Sequence, residues 1–69
     1  MLNERQERLL ELLMETQDWM TSRQLAQLLH VTDRTIRSDV DAVNRQAGLM
    51  GIESNVRRGY RAVRRQEQE

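Results

Sequence analysis

The sequence predicts a small α+β domain in which three helices precede a two-stranded β-hairpin. Apolar residues recur at helical spacing in three successive segments before Gly48. Each segment opens on a side chain suited to cap a helix: Asn3, Thr21 or Thr32. Beyond Gly48 the periodicity gives way to two short extended runs on either side of Arg57-Arg58-Gly59.

The first helix is expected from Glu4 to about Glu15. Asn3 with Gln6 three positions on has the form of a capping box, and Leu9, Leu10, Leu12 and Leu13 supply an apolar face. Thr16, Gln17 and Asp18 break the pattern. Thr21 with Gln24 repeats the capping box and starts a short second helix, with Leu25, Ala26, Leu28 and Leu29 expected on its buried side. His30-Val31-Thr32 interrupts it, and histidine tolerates the left-handed backbone such a turn requires. Thr32 caps a third helix from Asp33 to about Gln46, whose face Ile36, Val40, Val43 and Ala47 keeps a period close to 3.6 up to Gly48. The hairpin is expected as Ile52 to Val56, an Arg57-Arg58-Gly59 turn, and Tyr60 to Val63. The domain therefore spans 1–65, and residues 66–69 read as a disordered tail.

A chain of 69 residues has room for one minimal core, and nine leucines with no phenylalanine fill it without leaving space for a deep ligand cavity. With no cysteine there are neither disulfides nor thiolate metal sites, and the simplest compartment is the cytoplasm. No apolar run is long enough to span a bilayer, and Met1 to Arg8 is too polar for a signal-peptide core. The chain has no glycine-rich phosphate loop, His30 stands alone, and Ser22, Ser38 and Ser54 lie in no activating motif. An enzyme, a cofactor, a metal site and a small-molecule ligand are all unexpected.

The formal net charge is zero, but its distribution is uneven. Met1 to Asp33 holds three arginines against six acids, whereas Arg34 to Arg65 holds eight arginines against three acids. The second half is thus strongly basic, which favours a polyanionic partner. Its third helix turns Arg34 and Ser38 away from Ile36, with Thr35 and Arg37 flanking that outward face. A short helix, a tight turn and a second helix with a polar outer face form the frame of helix-turn-helix DNA readers.

Three runs carry a closer resemblance: Thr21-Ser22-Arg23-Gln24-Leu25-Ala26, then Val31-Thr32-Asp33-Arg34-Thr35-Ile36-Arg37-Ser38-Asp39-Val40, then Arg58-Gly59-Tyr60-Arg61. Together they resemble the N-terminal winged helix-turn-helix domain of bacterial sugar-operon regulators, both DeoR-type repressors and phosphotransferase-regulated activators with their antiterminator relatives. They are also similar to the operator-binding domain of bifunctional biotin ligases. The resemblance covers about Arg5 to Val63. It implies double-stranded DNA as partner, the third helix in the major groove, and the hairpin as a wing. Thr32, Arg34, Thr35, Arg37 and Ser38 fall on the matching DNA-facing positions, and Arg57 and Arg58 at the wing tip would contact backbone or an adjacent minor groove. Arg61 is a weaker candidate. Such regulators continue beyond the wing and dimerise mostly through modules absent from this chain, so a homodimer is expected only through those regions. The chain reads as a fragment of a longer regulator or as a minimal stand-alone one.

Each assignment has a plainer alternative. Arg37 could belong to an exposed ladder Asp33, Arg37, Asp41, Arg45, and Arg57 and Arg58 could merely keep a hairpin edge soluble. Thr21 reads as a cap rather than a contact, Trp19 as a core or lid residue packing on the helices rather than a base-stacking platform, and Tyr60 as an anchor for the wing. Glu4, Glu7, Glu11 and Glu15 read as a solvated helix surface. The rival function is a winged-helix protein-interaction or dimerisation module, which would expose apolar side chains where this third helix carries Arg34, Ser38 and Arg45.

Overall fold

The computed structural model describes residues 1–46 and 48–65. In chain order its elements are α1 (Glu4–Thr16), α2 (Ser22–Leu29), α3 (Asp33–Arg45), β1 (Met50–Asn55) and β2 (Gly59–Arg64). This is the expected three-helix core followed by a β-hairpin. The expectations for Ala47 and for a tail at 66–69 lie outside the described residues.

Side-chain caps set the helix starts. Asn3 Oδ1 accepts from the Gln6 amide at 2.8 Å while Gln6 Oε1 accepts from the Asn3 amide at 3.0 Å, and Thr21 with Gln24 repeats the exchange at 3.1 and 2.9 Å. Thr32 Oγ1 accepts from the Thr35 amide at 3.2 Å and starts α3. Left-handed residues end the first two helices. His30 takes φ 57°, as the turn demands, and so does Gln17 at φ 56°. Helix α3 stops differently. Gln46 is extended, and the Arg65 guanidinium donates to the carbonyls of Asn44 at 2.6 Å and Gln46 at 2.9 Å. A side chain from beyond the hairpin thus satisfies carbonyls that the helix itself leaves open.

The core consists of Leu9, Leu13, Leu25, Ala26, Ile36, Val40, Val43 and Ile52. Leu10, Leu12 and Leu29 pack against it only in part. Leu28, expected inside, is 54% exposed. It lies on the far side of Leu25 from Ala26 and Leu29, so the helix turns it off the buried stripe.

Asp39 is buried on α3 among these apolar residues, at 1% exposure. Arg5 of α1 grips it with both ends of its fork, Nε to Oδ2 at 2.6 Å and Nη2 to Oδ1 at 2.9 Å, and Gln6 Nε2 adds a bond to Oδ1 at 3.2 Å. The Arg5 hydrogen bonds hold the Asp39 carboxyl below the usual carboxylate range against the opposing effect of burial, with Gln6 helping. The same pairing raises Arg5 above its ordinary value.

The hairpin pairs Met50 with Arg64 at its root and Asn55 with Gly59 at its tip. β1 begins two residues earlier than expected. Val56, expected to end the first strand, lies in the turn and is fully exposed. Asn55 causes the change, because its Oδ1 accepts from the amides of Arg57 at 2.9 Å and Arg58 at 3.0 Å and so folds the backbone before Val56. Gly59, at φ +103°, returns the chain into β2.

Two contacts fix this hairpin to the helices. Met20 and Tyr60 exchange backbone hydrogen bonds of 2.8 and 2.7 Å, adding a one-residue bridge to the edge of β2. A Cβ at Gly59 would lie 2.2 Å from the Met20 carbonyl oxygen, so the crossing requires glycine. On the other strand Asn44 of α3 bonds both backbone groups of Ile52, donating to its carbonyl at 2.9 Å and accepting from its amide at 2.8 Å.

Candidate nucleic-acid interface

The seven residues singled out in the sequence occupy α3 and the wing tip, and the fold gives them different freedoms. Arg34, Arg37 and Ser38 are exposed on α3. Their side chains have no hydrogen-bond or ion-pair partner among the described residues. The ladder Asp33, Arg37, Asp41, Arg45 makes no contact ion pair among the described residues.

Thr32 and Thr35 are less free. Their hydroxyls lie 3.1 Å apart, Thr32 is also bonded to the Thr35 amide, and Thr35 is half-buried. Each keeps some capacity for a further hydrogen bond, since a hydroxyl has one proton and two lone pairs. The cap uses only the Thr35 amide, and the earlier first-turn amides of α3 have no partner within the helix.

Arg57 and Arg58 are exposed in the wing turn, their backbone amides fixed by Asn55 and their guanidinium groups unpaired among the described residues. Arg57 and Arg37 line one cleft of about 350 Å³, together with Thr21, Ser22, Asn55 and Tyr60. The fold therefore brings the flank of α3, the start of α2 and the wing turn around one depression. Arg34, Thr35, Ser38 and Arg58 lie outside that cleft.

Ser22 and Asn55 were not singled out as site residues. The Thr21 capping box already placed Ser22 in the first turn of α2, where backbone amides point outward. Asn55 gave no such signal, since its part depends on a pairing with Gly59 that only the hairpin register defines.

Arg61 is engaged elsewhere. Its Nη2 bonds Glu53 Oε1 at 2.6 Å, and its Cζ lies 4.5 Å from the centre of the Trp19 ring. Trp19 is half-buried and stacks against this wing arginine. Tyr60 does anchor the wing, through its bridge to Met20. No group of three or more His, Cys, Asp or Glu that could hold a metal occurs among the described residues. None of the described helices is long and apolar enough to cross a membrane.

Two helices joined across a left-handed residue, the second polar on its outer side and flanked by an antiparallel hairpin, define the winged helix-turn-helix class. The family model described as HTH domain matches residues 5–61, more than four-fifths of the chain. The chain belongs to this helix-turn-helix family, a family of DNA-binding domains. A sequence comparison with curated proteins gives no match.

Proposed function

We propose that this domain binds double-stranded DNA sequence-specifically as the operator-reading part of a bacterial, cytoplasmic transcription regulator. One observation carries the reading. Among the described residues Arg34, Arg37 and Ser38 on α3 stand exposed without side-chain partners, and the wing presents two further arginines unpaired there, Arg57 and Arg58, with Arg57 on the same cleft as Arg37. Helix α3 enters the major groove, and the wing follows the backbone or an adjacent minor groove. Arg34 and Ser38 reach base edges. Thr32, Thr35 and the open amides at the start of α3 hold phosphate, assisted by the helix dipole. Arg37, Arg57 and Arg58 supply charge along the backbone. The resemblance of the runs Arg34-Thr35-Ile36-Arg37 and Gly59-Tyr60 to those of sugar-operon regulators supports this reading.

The protein-interaction alternative is disfavoured by the chemistry of the α3 face, where every exposed side chain, Asp33 and Asp41 as well as Arg34, Arg37, Ser38 and Arg45, is polar or charged rather than apolar. The test is selection from a randomised duplex pool, followed by fluorescence anisotropy with the enriched and scrambled duplexes at several salt concentrations. Enrichment of a motif, with affinity falling steeply as salt rises, supports the reading. Absence of both enrichment and salt-dependent binding at high protein concentration refutes it.

A further inference from the structure

A second surface, sharing no lining residue with the cleft beside the wing, lies between α1 and the end of α2. It is an open groove of about 990 Å³. Leu10 and Met14 of α1 and Leu28 and Leu29 of α2 form an apolar strip along it, and Leu2 extends the strip. Met14 is 41% and Leu28 54% exposed. The other large exposed apolar side chains are scattered, Met1 at the terminus, Leu49 before β1 and Val56 in the wing turn. Here two of them, Met14 and Leu28, line one groove together with Leu2, Leu10 and Leu29, and an apolar strip of this kind on a small domain marks a contact surface.

The border of the strip defines what fits. Glu4, Glu7 and Glu11 line the groove at spacings of three and four, which places them in one row along about two turns of α1. Arg5 does not neutralise them, because its guanidinium is bound to Asp39, and Arg8 is the remaining arginine on the groove. Helix α2 ends at this groove, with Leu28, Leu29 and His30 on its wall and no basic residue in its last turn. The negative end of the α2 dipole therefore adds to the glutamate row. A second copy of the chain would set the same glutamate row against this one, and like charges facing each other oppose that pairing.

The geometry points to a docking site for a basic amphipathic helix of another polypeptide segment, its apolar residues at i, i+3 or i+4, and i+7 on the leucine and methionine strip and its lysines or arginines along the glutamate row. Helix α1 has 13 residues, about 20 Å of groove, so three to four turns of a partner helix can engage. None of Thr32, Arg34, Thr35, Arg37, Ser38, Arg57 or Arg58 lines this groove, so its occupation leaves the α3 and wing face free.

The experiment is an NMR titration of the isotope-labelled chain with two model helical peptides of identical leucine pattern, one flanked by lysines and one by glutamates. Shifts are expected to centre on residues 7–14 and 27–30, with the lysine peptide bound about ten-fold more tightly, as a few partly screened ion pairs allow. Glu7→Lys combined with Glu11→Lys should reverse the preference, and both sites are exposed, so the fold is kept. Leu28→Gln should weaken the lysine peptide several-fold while thermal melting stays nearly unchanged. Equal binding of both peptides, a preference that survives charge reversal, or shifts centred on α3 and the wing would overturn the proposal. A concentration-dependent dimer in sedimentation, abolished by Leu28→Gln, would assign the groove to a second copy instead and overturn it equally.

Discussion

Replacing Arg5 with methionine keeps most of the side chain's length and removes its two hydrogen bonds to Asp39, at 2.6 and 2.9 Å. The Asp39 side chain, 2% exposed, would then keep only the weaker bond from Gln6 at 3.2 Å. Hydrogen bonds to charged groups contribute about 1.5 to 3 kcal/mol each. Arg5 is itself 41% exposed, so water replaces part of what is lost and the two bonds do not add in full. A net loss of about 2 kcal/mol follows, which for a domain of this size lowers Tm by roughly 8 to 16 °C.

The effect carries a pH signature. Asp39 titrates below its ordinary range in the folded state, so its contribution is complete above the unfolded value near 3.9 and is lost as pH falls through the folded one. Urea titrations of the parent chain, Arg5→Met, Asp39→Asn and the double variant should therefore show a full gap between parent and Arg5→Met at pH 7 that narrows on acidification as the buried Asp39 takes up its proton, first in the variant that lacks Arg5. The double-mutant cycle should return a favourable coupling of at least about 1 kcal/mol. A loss below about 0.5 kcal/mol, or a gap independent of pH, would refute the view that this pair ties α1 to α3.

Four further outcomes follow from the geometry. Arg34→Ala should cost about 1 to 3 kcal/mol on the selected duplex and relax its specificity, whereas Arg58→Ala should weaken all duplexes alike; anisotropy on matched and scrambled sites separates the two. Gly59→Ala should cost at least about 2 kcal/mol in thermal unfolding, since a Cβ would strike the Met20 carbonyl and φ is +103°, and amide exchange at Met20 and Tyr60 should accelerate. His30→Gly should stabilise the chain by about 0.5 to 1 kcal/mol in urea, because relief of left-handed strain outweighs the added backbone entropy of glycine. Asn44→Ala should cost about 1 to 3 kcal/mol by leaving the amide and carbonyl of Ile52 unpaired, read by denaturation and by exchange at Ile52.

The parts legible in the sequence were those fixed by residues within a few positions of one another. The boxes at Asn3 and Thr21, the cap at Thr32 and the left-handed turn at His30 depend on spacings of three or on a single backbone angle. The apolar period of α3 likewise foretold Ile36, Val40 and Val43 in the core. What escaped depends on distance along the chain. Asp39 sits 34 residues from Arg5, and an aspartate amid Arg37, Ser38 and Asp41 reads as one more polar residue on a solvated face. Arg65 is 21 residues from the Asn44 carbonyl that it caps. At the candidate interface the outward position of Arg34, Arg37 and Ser38 followed from helical phase. The meeting of Arg37 with Arg57 did not, since it needs the hairpin to fold back beside α3.

The two hydrogen bonds of Asn44 have a consequence for how a duplex can be read. A helix side chain here takes the place that a neighbouring strand's backbone would hold, so α3 and the base of β1 form one unit instead of two parts on a hinge. On the proposed reading, the distance between the major-groove helix and the wing is then a fixed gauge. A duplex whose local bend or groove width departs from that gauge must deform to fit, and the energy of deformation depends on its base steps. Selection should therefore extend to base pairs between the two contact regions that no side chain touches.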